Sequence, residues 1–139
     1  TPLMAAAEAG SVECVGKLLE ALAPLSREKL GAKDAEGRTA LLRAAGSPLG
    51  GGCVERLMGT NQADPAAEDS EGNGALALAA RAGNMAAIET LWDPKHAKSA
   101  VGTKALLLAS MYGRSAAVEG LLRRGVAARP ALQEALAAA

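Results

Sequence analysis

The sequence predicts an all-α solenoid: about four stacked helix-turn-helix units with short β-turn fingers, closed by a C-terminal helix. Three observations predict it. Half of the residues are apolar, yet Trp92 and Tyr112 are the only aromatics. Alanine and leucine dominate, which favours helix, while the β-branched and aromatic residues that favour strands are scarce. A pattern of small-residue helix, glycine-centred turn and second apolar helix recurs four times, the mark of a repeat architecture. Within each segment the apolar positions fall at i, i+3 and i+4, one helical face. Neither helix of a unit buries that face alone, but stacked neighbours bury it together.

The units follow in order. TPLMAAAEAG carries Leu3, Ala6 and Ala7 on one face, and SVECVGKLLE follows with Val15, Leu18 and Leu19. Ala23 to Lys33 is an extended loop with room for a helical turn. DAEGRTALLRAAG (34–46) presents Leu41, Ala44 and Ala45, then the insertion Ser47 to Gly52, expected to be a flexible turn, then CVERLM. DSEGNGALALAARAGN (69–84) presents Leu76, Ala79 and Ala80, followed by MAAIETLW. Trp92 there is second in an apolar pair, as Leu19 and Leu122 are, which predicts a core position between the third and fourth units. SAVGTKALLLASMYGR (99–114) and SAAVEGLLRRG, with Val118, Leu121 and Leu122, complete the fourth unit. Gly10, Gly83 and Gly113 stop the first helices, where a left-handed residue is favoured. The Asp-x-x-Gly stretches read as tight turns. Pro130 opens a last helix over 129–139. The predicted boundaries are 1–33, 34–68, 69–98 and 99–128, with the cap at 129–139.

Composition excludes several functions. Fifteen basic and fifteen acidic residues give zero formal charge, so no basic excess supports nucleic-acid binding. No apolar run approaches the roughly 20 residues of a membrane span, and no signal peptide opens the chain. Thr1 stands where an initiator Met would, which predicts a segment of a longer protein. Gly50-Gly51-Gly52 lacks the Gly-Lys-Ser/Thr ending of a phosphate loop and follows no strand. His96, the only histidine, sits in the polar stretch Pro94 to Lys98 without a recognisable nucleophile or metal partner. It is expected to be an exposed loop residue. The run Asp64, Glu68, Asp69, Glu71 lacks calcium-loop spacing and reads as a solvated loop. Arg123 and Arg124 close a helix, where they suit its dipole. Cys14 and Cys53 fit no zinc or redox spacing and read as reduced thiols in the core of a cytoplasmic or nuclear protein. No catalytic residue, metal ligand or cofactor site is expected.

Gly37, Gly72 and Gly102 precede the Thr-like positions Thr39, Gly74 and Lys104. With Thr1-Pro2-Leu3, the Asp34-x-x-Gly37-x-Thr39 turn, Gly83, Gly113, and Ala63-Asp64-Pro65 before the third unit, the chain resembles the ankyrin repeat family, whose period is about 33 residues. The likeness runs from Thr1 to about Ala128. It departs where the family's histidine is replaced by Met4, Leu42, Ala77 and Leu107, so apolar packing must substitute for that residue's hydrogen bonds. The resemblance implies a monomeric, non-catalytic module that binds a partner protein on its concave surface. The implied partner-facing residues are Glu36, Arg38, Glu71, Asn73, Arg81, Thr103, Met111 and Tyr112. Finger neighbours Ala35, Ser70, Ala100 and Val101 and helix-end residues Glu8, Ala9, Gly46, Ser47 and Ala82 join them. Tyr112 fits a binding anchor and inter-repeat packing equally. An alternative implication is a regulatory or targeting segment of a larger multidomain enzyme.

Overall fold

The computed structural model describes residues 2–24 and 27–126. They form nine α-helices and one 3-10 helix, and one isolated antiparallel bridge joins Glu68 to Gly74. Eight helices come in consecutive pairs: α1 (Pro2–Ala9) with α2 (Val12–Ala21), α4 (Ala40–Ala45) with α5 (Gly51–Gly59), α6 (Ala75–Ala82) with α7 (Met85–Leu91), and α8 (Ala100–Met111) with α9 (Ser115–Arg123). The one-turn α3 (Arg27–Leu30) lies in the loop after α2, and Pro94–Lys98 is the 3-10 helix. First helices pack on first helices, in the order α1, α4, α6, α8; second helices pack in the order α2, α5, α7, α9. This is the solenoid expected, each pair covering the next.

The core follows the i, i+3, i+4 faces. Leu41, Leu42, Leu57, Leu78, Ile88 and Leu121 are fully buried, and so are the alanines Ala44, Ala45, Ala79, Ala80, Ala105 and Ala109. Such small residues fill no wide gap, so close-packed first helices must approach one another closely. Ser11, Thr39 and Asn84 cap their helices by accepting the N–H of Cys14, Leu42 and Ala87. Gly10, Gly83 and Gly113 are left-handed, as expected. In place of the family histidine, Met4, Leu42 and Ala77 are buried, the first two within the apolar core. Polar ties between units occur elsewhere. The Ser47 hydroxyl donates to the Glu8 carbonyl at 2.7 Å, and the Asn84 amide donates to the Ser47 carbonyl at 2.9 Å.

Several expectations fail for tertiary reasons. The glycine run is not a flexible turn, since Gly51 and Gly52 begin α5 and Gly50 caps it. A β-carbon at Gly50 would collide with the Ala44 carbonyl, at Gly51 with Ala86, and at Gly52 with Val12. The run lets the start of α5 fit between its own partner helix and both neighbours. Cys53 is fully buried but Cys14 is exposed. Both precede a core valine, yet among the described residues α5 packs on second helices on both sides, α2 and α7, while α2 packs on one, α5. No finger forms at Ala100 to Thr103; these residues are the first turn of α8, and Gly102 packs against the His96 carbonyl. Trp92 lies between the third and fourth units but is only half-buried. His96 is half-buried too, with its Nδ1 accepting the Asp93 N–H at 3.2 Å. The cap expected over 129–139 lies outside the described residues.

Candidate interaction surface

Two fingers are built alike, thirty-five residues apart. Asp34 Oδ1 accepts the N–H of Glu36 at 2.8 Å and of Arg38 at 3.0 Å. Asp69 Oδ1 accepts those of Glu71 and Asn73, both at 2.9 Å. Gly37 and Gly72 adopt φ of 76° and 77°, which glycine alone adopts freely. The fingers are joined through one acceptor: the Ser70 N–H, at 3.1 Å, and the Ser70 hydroxyl, at 2.8 Å, both donate to the Glu36 carbonyl.

A charge network runs along this row. Arg43, on α4, is bonded to Asp34 and stands 3.7 Å from both Glu8 and Glu36. Arg38 Nε donates to Asp69 at 3.2 Å, and its other arm reaches Glu36 at 3.3 Å. The Asp69 side chain is 1% exposed and that of Arg38 16%. Asp69 is therefore not part of a solvated acidic loop; stacking brings it a cation from 31 residues upstream. Burial pushes the Asp69 carboxyl up, but the N–H groups of Asn73 and Glu71 and the Arg38 guanidinium outweigh it and hold the group below its ordinary value. The Arg38 N–H and the Arg43 guanidinium lower Asp34 in the same way.

The eight sequence-predicted residues divide by environment. Glu36 and Glu71 are exposed along the fingers. Arg38 is engaged with Asp69, and Asn73 is buried. Thr103 is half-buried in α8, its hydroxyl donating to the Ser99 carbonyl at 3.4 Å. Arg81 and Tyr112 come together at the ends of α6 and α8, with Met111 next to Tyr112 in the chain. Met111 and Tyr112 are 55% and 52% exposed, and the Arg81 guanidinium lies 5.7 Å from the Tyr112 ring centre. The Arg114 Nε donates to the Arg81 carbonyl at 2.9 Å, tying the two helix ends.

Sequence reasoning missed a second feature. A cavity of about 580 Å³ opens between the base of the third unit's finger (69–73) and the 3-10 helix, lined by Pro65, Glu68, Leu76, Trp92, His96 and Val101 among others. Trp92 is held edge-on by His96 at 5.7 Å and faced by Arg124 at 5.9 Å. Burial lowers the His96 pKa against the pull of Asp93. The signal was present in the sequence: Asp-x-x-Gly is absent from the fourth unit, and Asp93-Pro94 makes a helix start instead. Among the described residues, no three His, Cys, Asp or Glu side chains gather as a metal site, and no helix is long and apolar enough to cross a membrane.

Comparison with known proteins accords with this architecture. Residues 49–131 match the family model for ankyrin repeats, in three copies, and residues 1–28 match that for the single ankyrin repeat. A search of the curated proteins finds no match.

Proposed function

Since the chain belongs to the ankyrin repeat family, we propose that it is a non-catalytic docking module whose partner protein is gripped at Arg81, Met111 and Tyr112. Ankyrin repeats are generally protein–protein interaction modules and typically lack catalysis. The observation that carries the reading is the pairing of two large, half-exposed side chains, Met111 and Tyr112, beside a guanidinium that covers the ring. Aromatic and Arg side chains supply most binding anchors. Glu36 and Glu71 extend the surface along the fingers, while Arg38, Asn73 and Thr103 support it from within. The chain acts as a monomer, and two unpaired cysteines suit a reducing cytoplasmic or nuclear setting.

Affinity capture with the chain as bait supplies a partner, and calorimetric titration then compares four variants. Tyr112→Ala and Arg81→Ala should each weaken binding by about 1–2 kcal/mol without unfolding the chain. Glu20→Ala and Glu89→Ala, exposed on α2 and α7, should change it little. Loss of binding in the Glu variants, with Arg81 and Tyr112 silent, refutes the assignment.

A further inference from the structure

The row of fingers ends on an open acceptor. The Glu36 carbonyl receives both the N–H and the hydroxyl of Ser70 from the next finger. The turn at 69–73 repeats that at 34–38, so the Glu71 carbonyl occupies the equivalent position one unit on. No donor among the described residues reaches it. A fourth finger would supply that donor, but the chain instead forms Pro94–Lys98 and enters α8 at Ala100. Lys104 reaches back across the gap, yet its ammonium donates to the Gly72 carbonyl, at 2.6 Å, and leaves Glu71 open. The cavity lies against the root of the same finger, at the bridged pair Glu68 and Gly74, with Trp92, Leu76 and Val101 among its apolar walls. The exposed carboxylates Glu68 and Glu71 have no ion pair among the described residues.

We propose that an extended segment of a partner protein, an apolar residue flanked by basic ones, adds here as a surrogate fourth finger. One of its backbone N–H groups donates to the Glu71 carbonyl, as Ser70 does to Glu36. Alternate side chains of an extended strand point to opposite sides. Apolar side chains therefore enter the cavity against Trp92 and Leu76, while basic ones turn outward to Glu71 and to the exposed Glu68 carboxylate at the cavity mouth. Main-chain hydrogen bonds at an open edge give affinity, and pockets for alternate side chains give selectivity. A cavity of about 580 Å³ lies within the range of ordinary ligand pockets. The cavity lining includes none of Arg81, Met111 and Tyr112, and the two surfaces share only Glu71, so either assignment can fail while the other stands.

Trp92 is the only tryptophan and lines the cavity, so its emission reports occupancy. The probe is a capped hexapeptide alternating Val and Lys, titrated into the full chain. Two comparison peptides replace Lys by Glu or carry N-methyl groups on alternate amides. The Lys peptide should give a saturable shift in emission. N-methylation should weaken it about tenfold, the equivalent of one net hydrogen bond, and the Glu peptide should bind more weakly still. Ala66→Phe, introduced at an exposed residue on the cavity wall, should abolish the shift. The double variant Glu68→Gln, Glu71→Gln should remove the preference for Lys over Glu, and Tyr112→Ala should leave it unchanged. Equal binding of the N-methylated peptide, absence of saturation, or loss in Tyr112→Ala but not Ala66→Phe overturns the proposal. So does a concentration-dependent Trp92 shift without peptide, which identifies a second copy of the chain as the occupant.

Discussion

Replacing Asp69 with Ala removes a carboxylate that holds one finger closed and binds the guanidinium of the previous unit. Three hydrogen bonds go with it: those from the Glu71 and Asn73 N–H groups and that from Arg38 Nε. Glu71 is exposed, so its N–H turns to water at little cost. Asn73 is buried, and stranding its N–H costs about 1–2 kcal/mol. Arg38 keeps Glu36, 3.3 Å away, so losing its more buried partner costs about 1–2 kcal/mol rather than the roughly 3–5 of a fully buried broken pair. The sum is about 3 kcal/mol. At about 3 °C per kcal/mol for a chain of this size, the melting temperature falls by about 9 °C. Asp69→Asn keeps an oxygen for the turn and should lose about half as much. Urea unfolding followed by circular dichroism measures both. A double-mutant cycle with Arg38→Met isolates the ion pair, whose coupling should be about 1–2 kcal/mol. A cost below about 1 kcal/mol for Asp69→Ala, with no coupling to Arg38, would refute the argument that the finger network holds the units in register.

Gly50→Ala drives a methyl into the Ala44 carbonyl and should destabilise by about 2 kcal/mol or more, as overpacking does; an unchanged thermal melt would contradict the close approach of α4 and α5. Alkylation under native conditions, read by mass spectrometry, should label the exposed Cys14 quickly, whereas Cys53, whose thiol burial pushes up in pKa, should react only on unfolding. Equal labelling rates would show that the start of α5 is not packed as described. The folded-state pKa of His96 lies below its ordinary 6.5. The unfolded chain thus takes up the proton first, so the stability this group contributes is whole above about pH 6.5 and is lost below it. Melting temperatures should fall from pH 7.5 to 5.5, and His96→Gln, which keeps an acceptor for the Asp93 N–H, should flatten that slope. An identical slope in the variant would place the acid sensitivity elsewhere.

The helical class, the order of the units and the finger chemistry at Asp34 and Gly37 were legible because they are local. Leu41, Ala44 and Ala45 define a buried face whatever the helix packs on, and Gly83 ends a helix by its own backbone freedom. By the same token, Arg81, Met111 and Tyr112 could be placed at helix ends by counting from the turn. What the residues there meet could not be counted in this way. Arg38 and Asn73 occupy finger positions as Glu36 and Glu71 do, yet the first two are drawn into the turn network and the last two remain exposed.

Periodicity and turn preference act within about a dozen residues, so they are enough to encode a stack of helix pairs with glycine turns. Which equivalent residues share an environment depends instead on how the units stack. Arg38 meets Asp69 because one unit sits on the next; Cys14 and Cys53 part company because, among the described residues, α2 packs on one second helix and α5 on two. Gly50 to Gly52 became a close contact rather than a flexible turn because neighbouring helices approach from both sides. The missing fourth finger, with the open Glu71 carbonyl and the cavity beside it, exists only as a gap between units. Such a gap depends on distances between residues some thirty positions apart, which no local pattern encodes.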